Sequence, residues 1–182
     1  MVTGSATNPK IKVIFPAAEI AKKVDWLAGA IAKAGMEHLL VVAVLKGSFV
    51  FAADLIRALY AAGISPEVDF ITLSSYRKST KSSGKVEILR DVESEVRGRN
   101  VLLVDDILES GRTLAFAKDL MVARGAKRVM TCVLLDKPVE RGAEVEADFR
   151  AFECPLEFVI GYGMDIGNRY RELPFVGALV MP

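Results

Sequence analysis

The chain has 182 residues, enough for one domain with a sizeable core. It carries 24 Lys and Arg against 23 Asp and Glu, and the resulting net charge of +1 gives no global pull towards nucleic acid or an anionic membrane. Hydrophobic residues make up 52% and charged residues 26%, the balance of a soluble globular domain, and no apolar run is long enough to span a bilayer. A single domain over residues 1–182 is therefore expected.

Met1 to Pro9 lacks a basic start followed by an apolar stretch, so it reads as a frayed tail and not as a signal peptide. Pro16 to Ala34 reads as a helix: Pro16 suits a first turn, and Ile20, Val24, Leu27 and Ile31 recur at helical spacing. Trp26 lies beside that stripe and is expected to pack. The only histidine, His38, cannot build a metal site alone and is given no catalytic role. Leu39 to Leu45 is a continuous apolar run, as expected of a strand buried on both faces. Lys46-Gly47-Ser48 breaks it, and Phe49 to Ala62 reads as a helix that stops at Gly63. Val68 to Leu73 is a strand candidate. Ser74 to Lys85 is polar, basic and Ser-rich, the composition of a mobile loop, and Val86 to Leu89 is a possible return strand. Val101 to Val104 reads as a short buried strand. Thr113 to Ala123 reads as a helix closed by Arg124-Gly125. Val129 to Leu135, Phe149 to Phe152 and Phe158 to Ile160 complete the strand candidates.

Strands alternating with helices predict an α/β fold with a mainly parallel central sheet flanked by helices. In such sheets ligands bind beyond the carboxyl ends of the strands. Lys46, Asp105-Asp106 and Lys137 each follow the last apolar residues of a proposed strand, so three segments deliver polar groups to one sheet edge. Cys132 and Cys154 have no metal-ligand spacing and are expected to be buried free thiols in a reducing cytoplasm.

The most informative stretch is Val101 to Leu114. A dry strand ends in two adjacent carboxylates, and a turn of small, hydroxylic and charged residues leads into a helix. Asp105 and Asp106 are suited to accept hydrogen bonds from vicinal ribose hydroxyls or to attract Mg²⁺, which prefers hard oxygen ligands. Glu109 to Thr113 supplies backbone N–H groups, two hydroxyls and Arg112 at a helix N-terminus, where unpaired N–H groups and the helix dipole favour phosphate. Gly111 permits close backbone approach to an anion. Read locally, Ser110 is also a candidate helix cap, but capping does not account for two consecutive acids after a buried strand. The order of residues is neither a Walker loop nor a dinucleotide fingerprint. The pairing of acids with an anion-binding turn points to a phosphorylated sugar.

Val101 to Leu114 resembles the phosphoribosyl pyrophosphate motif of the type I phosphoribosyltransferases, and the match is closest to the hypoxanthine-guanine phosphoribosyltransferase family. The likeness extends in order along the chain. Val44 to Ser48 resembles that family's pyrophosphate loop, and Asp69 to Tyr76 its mobile loop. Leu134 to Pro138 resembles the segment with the base-contacting lysine. Phe158 to Asp165, followed by Arg169 to Pro174, resembles the purine-binding segment. The resemblance implies a type I phosphoribosyltransferase-like sheet with a small hood from the N- and C-terminal segments. It also implies transfer of a 5-phosphoribosyl group from phosphoribosyl pyrophosphate to N9 of a 6-oxopurine in purine salvage, with Mg²⁺ as cofactor and a homo-oligomer, dimer or tetramer, as the assembly.

By the same resemblance, Asp105 and Asp106 face ribose and metal, and Ser110, Gly111, Arg112 and Thr113 hold the 5-phosphate. Lys46, Gly47 and Arg171 meet pyrophosphate, with a cis peptide bond before Lys46. Ser75 and Tyr76 belong to a lid that excludes water. Ile107, Lys137, Phe158, Val159 and Asp165 surround the purine, and Asp165 also reaches the metal. Lys137 can only donate, which suits a 6-oxo group and disfavours adenine. Phe158 offers a face for stacking. Taken alone, Lys46-Gly47 reads as an exposed turn and Phe158 as core. The sequence departs from the family at Glu109, where Asp is usual. The carboxylate is kept but extended by one methylene, and Glu109 is assigned as the general base. Two other functions share these motifs: a donor-sensing regulator that binds nucleic acid, and an enzyme preferring xanthine. The near-zero charge gives the first no support.

Overall fold

The computed structural model describes residues 10–75 and 86–180. Its centre is a six-stranded sheet in the order β4-β3-β2-β5-β6-β7. These strands are β2 (Leu39–Leu45), β3 (Glu67–Ser75), β4 (Val86–Arg90), β5 (Asn100–Leu108), β6 (Arg128–Asp136) and β7 (Phe149–Glu153). Every pairing is parallel except that of β3 with β4, which is antiparallel, as expected of a return strand. A second, three-stranded antiparallel sheet is formed by β1 (Ile11–Phe15), β9 (Val176–Leu179) and β8 (Val159–Ile160). This is the hood. β1 and β9 carry too little alternation to be recognised from sequence, and they become strands only by pairing with each other across the length of the chain.

Strand β2 reads LLVVAVL because both of its faces are buried. Its alternate residues divide between two cores. Leu39, Val41 and Ala43 join a cluster with Leu102 and Val104, whereas Leu40, Val42 and Val44 join one with Val101 and Leu103. Helices α1 (Ala17–Lys33) and α2 (Phe49–Ala61) cover the first face through Ile20, Val24, Leu27 and Ile31 and through Phe51, Leu55 and Leu59. Helix α3 (Arg112–Ala123) covers the second through Leu114, Ala117 and Met121. Each fully buried Leu or Ile in these layers stabilises by about 1.5–3 kcal/mol relative to exposure.

The helices fall on opposite faces because the chain turns in opposite directions from the sheet centre. β2-α2-β3 moves one way and β5-α3-β6 the other, and right-handed crossovers then place α2 and α3 on different faces. The gap between β2 and β5 is therefore a topological switch point, where ligands of open α/β sheets bind.

Three expectations are corrected. Trp26 does not pack into the core: it is 58% exposed, with the Lys23 ammonium 5.3 Å from its ring centroid. The fifth strand does not stop at Val104 but runs on to Leu108, because β6 continues to pair with it. Ser74 and Ser75 belong to β3 and not to a loop. Tyr76 and the remainder of the proposed lid lie outside the described residues, as does the proposed tail at Met1 to Pro9.

Cys132 and Cys154 are both free and buried. Burial pushes the Cys132 thiol well up, and it pushes Cys154 up to about 11, where the nearby Lys137 charge opposes the rise. Neither thiol should therefore react with a maleimide in the native protein at pH 7.5, and both should react in guanidinium. Rapid native labelling at either position, read by mass spectrometry, would contradict this packing.

Candidate active site

The site begins where two parallel strands part. β2 pairs with β5 only as far as Ala43 and Val104, and then follows β3 to Leu45 and Thr72. β5 keeps its other neighbour, with Asp105 opposite Val133 and Leu108 opposite Asp136. Residues 105–108 thus keep one edge paired while the other faces a cleft of about 210 Å³. Asp105 is buried at 8% exposure, and Asp106 is half-buried. The Asp106 N–H donates to Asp105 Oδ1 at 3.0 Å, and the Ile107 N–H donates to Asp106 Oδ1 at 2.9 Å. Burial raises the Asp105 carboxyl well above the usual carboxylate range, and the adjacent Asp106 charge adds to the effect. Burial also raises Asp106, against which the Arg171 charge acts. Two acids held this way are short of positive charge.

The turn after β5 forms the cleft floor. Gly111, at φ 75, is the residue preceding α3, and no side chain caps the helix, so Ser110 is not its cap. A Cβ at Gly111 would stand 2.7 Å from Val145 Cγ1, so this position needs glycine for space as well as for conformation. The first N–H groups of α3 consequently remain available to an anion.

The opposite wall is Lys46-Gly47. The Leu45–Lys46 peptide bond is cis, as the resemblance implies. A Cβ on Gly47 would fall on the Asp106 carboxylate, so the backbone of this turn lies directly against the acid. Ser48, fully buried, anchors the turn by donating from Oγ to the Val44 carbonyl at 2.6 Å. Gly163, at φ 100, stands so close that its Cβ would overlap the Gly47 carbonyl. The C-terminal segment is thus stacked backbone on backbone against the Lys46-Gly47 turn. Arg171 holds that segment: one guanidinium nitrogen donates to the Gly163 carbonyl at 2.7 Å, and another lies 2.7 Å from Asp165 Oδ1.

Lys137 follows β6. Its N–H donates to the Leu108 carbonyl at 2.9 Å, and its Nζ lies 3.0 Å from Glu109 Oε1. The lysine side chain is 10% exposed and the glutamate 45%. The residue expected to read the purine and the residue expected to take a proton are therefore partners in this structure.

Lys46, Gly47, Asp105, Asp106, Ile107, Glu109, Ser110, Gly111 and Thr113 line one cleft together. Lys137 and Arg171 border it through Glu109 and through Gly163 and Asp106. Other candidates stand apart. Arg112 is exposed and packs its guanidinium against Gly142. Phe158, 58% exposed, lines a separate cavity of about 570 Å³ beside the hood with Ile166 and Val180, so the expectation that it is core when read alone is wrong. Val159 is buried in β8. Asp165 does not join the aspartate pair: it is engaged by Arg171 and accepts from the Asn168 N–H at 2.6 Å. Among the described residues no cluster of three metal-ligating side chains forms. A larger, mainly apolar cavity of about 1050 Å³ lies between α1, α2 and residues 171–174, away from the acids and the anion-binding turn.

Sequence reasoning missed the segment from Arg141 to Asp148, which lies against the anion-binding turn. Gly142 donates its N–H to the Ser110 carbonyl at 3.1 Å. The signal available was weak, a Pro138 and a Gly142 bracketing a polar stretch.

The paired acids, the glycine-led turn at a helix N-terminus and the close glycine wall meet at a sheet switch point, and their chemistry suits a phosphorylated sugar. Residues 12–166 match the phosphoribosyl transferase domain, and the chain belongs to that family. It is 39% identical over 174 residues to a hypoxanthine phosphoribosyltransferase of Escherichia coli K12, covering 94% of this chain and 96% of the relative. It is 43% identical over 169 residues to a hypoxanthine-guanine phosphoribosyltransferase of Bacillus subtilis, covering 92% of each. Among solved structures, a hypoxanthine-guanine phosphoribosyltransferase from Bacillus anthracis superposes with a TM-score of 0.87 at 41% identity, covering 95% of this chain and 100% of the other.

The backbone contact at Gly47 yields a direct test. Gly47→Ala drives a methyl onto Asp106, and phosphoribosyl transfer should fall at least about tenfold while far-UV circular dichroism stays native. A near-normal rate would show that the close approach is dispensable.

Proposed function

We propose that this chain transfers the 5-phosphoribosyl group of phosphoribosyl pyrophosphate to N9 of a 6-oxopurine, hypoxanthine or guanine, releasing pyrophosphate and giving IMP or GMP in purine salvage. The observation that carries this reading is the cleft in which Asp105-Asp106, the Glu109–Thr113 turn and Lys46-Gly47 face one another. Its chemistry suits a sugar with a phosphate on one side and a pyrophosphate on the other.

The ribose hydroxyls are bound by Asp105 and Asp106, and the 5-phosphate by the turn's N–H groups with Ser110 and Thr113. Lys46, the Gly47 backbone and Arg171 hold the departing pyrophosphate. Asp105 and Asp106, two adjacent hard-oxygen groups whose burial leaves them short of positive charge, would hold Mg²⁺, which would supply charge neutralisation for the departing pyrophosphate. Lys137 donates to the purine 6-oxo group, Ile107 and the Val159 backbone border the ring, and Phe158, which lines the separate hood-side cavity in this structure, is the aromatic assigned to stack on it. Glu109 accepts the proton from purine N7 as the bond from N9 to the anomeric carbon forms. The Lys137 ammonium, 3.0 Å from Glu109 Oε1, has further N–H donors for the purine oxygen, so the base and the purine reader lie side by side. The free thiols suit a reducing cytoplasm, and a homo-oligomer is the expected assembly.

Initial rates with hypoxanthine, guanine, xanthine and adenine test the proposal. Turnover of a 6-oxopurine with little or none of adenine is expected, and no nucleotide from any 6-oxopurine would overturn it. In the same panel, Lys137→Ala should raise the KM for hypoxanthine and guanine about tenfold or more with donor KM nearly unchanged. Glu109→Gln should cut kcat by about 10²-fold while donor affinity holds. Unchanged kcat would remove Glu109 from the chemistry.

A further inference from the structure

We infer that Arg141 is a positioning residue for the phosphate-binding turn, acting from behind it and touching no substrate; this rests on the phosphoribosyl transfer proposed above. Arg141 leaves β6 five residues after Asp136, and its side chain returns to that aspartate with one guanidinium nitrogen bonded to Asp136 Oδ1. A second donates to the Val145 carbonyl at 2.9 Å. The aliphatic stem lies along the turn, with Cδ 3.7 Å from where a Cβ on Gly111 would stand. Val145 Cγ1 is 2.7 Å from the same point, and Gly142 donates to the Ser110 carbonyl at 3.1 Å. One side chain therefore fixes the strap of residues 141–145 that forms the rear surface of the turn.

The strap's far end is fastened separately. Asp148 Oδ2 accepts from the Thr131 N–H at 2.8 Å and from Thr131 Oγ1 at 3.0 Å, and Thr131 is fully buried. Only the end nearest the turn depends on Arg141. Its Nε is buried and has no partner among the described residues, so the head is held by Asp136 and Val145 alone. Burying an arginine with one donor unsatisfied is costly. That cost is met where the geometry of Gly111 and Ser110 is set, and Asp136 directly precedes Lys137, so the same aspartate indexes the phosphate turn to the purine side.

Arg150 supplies the control. It also binds Asp136, at 2.9 Å, but its side chain is 60% exposed, and among the described residues it forms no hydrogen bond to the strap's turn-facing end. Donor and purine kinetics should be measured separately for Arg141→Gln, Arg141→Lys and Arg150→Gln, with thermal melts of each. Arg141→Gln should raise donor KM about tenfold, as expected of a displaced binding turn, with hypoxanthine KM within about twofold. Arg141→Lys keeps a charge at Asp136 but cannot also bridge to Val145, so its donor KM should be intermediate. Arg150→Gln should leave donor KM unchanged. The proposal is overturned if Arg141→Gln and Arg150→Gln behave alike, or if Arg141→Gln lowers only the melting temperature. If Arg141→Gln does not fold, a wild-type donor KM in Arg141→Lys overturns it equally. A wild-type protein making no nucleotide would instead sink the functional reading. In that case ribose 5-phosphate binding by calorimetry, weakened by Arg141→Gln but not by Arg150→Gln, still decides the role of Arg141.

Discussion

Everything in the site follows from the divergence of β2 and β5 beyond Val104. Parallel strands that stayed paired would bury residues 105–108 in the ladder and leave no cleft. Because β2 instead follows β3, β5 exposes one edge where its sequence changes from apolar to acidic. The Gly47 backbone then closes on the Asp106 carboxylate, and the Gly163 backbone on that of Gly47. The glycines are there for distance: each permits a backbone to stand where a Cβ would collide.

The acids in this cleft are supported unequally. Each receives a backbone N–H from the residue after it, but neither has a basic side chain bonded to it among the described residues. Arg171, whose charge acts on Asp106, donates instead to Gly163 and Asp165. The purine side is the reverse, since Lys137 and Glu109 satisfy one another. The cleft therefore has a negative half short of positive charge, around Asp105 and Asp106, and a self-neutralised half at Lys137 and Glu109.

Much of this was legible in the sequence where local chemistry determines structure. The run Leu39 to Leu45 read as a doubly buried strand and the stripe from Ile20 to Ile31 as a helix face, and both formed. Asp105-Asp106 and the Glu109–Thr113 turn stood out because packing does not account for them, and the structure places them in one cleft. What escaped depends on long-range pairing. β1 and β9 stabilise each other from opposite ends of the chain, and the extension of β5 to Leu108 is dictated by β6. Trp26 was misjudged because helical spacing locates a stripe but does not measure how far its flank is covered. The role of Arg141 was invisible for a similar reason. Its value lies in what stands behind Gly111, which spacing cannot tell.

The stacking of Gly163 on Gly47 also bears on how the protein is made. The wall of the site contains backbone from early and late in the chain, and Arg171, which holds the late part, comes later still. The sheet from β2 to β7 can assemble while the chain is still emerging, since a nascent chain folds from its N-terminal side. The site cannot. Until the residues from Gly161 to Leu173 have been delivered and docked, Lys46-Gly47 lacks its backing. The wall of the site is thus the part of this fold that waits on the late segment to be synthesised and docked.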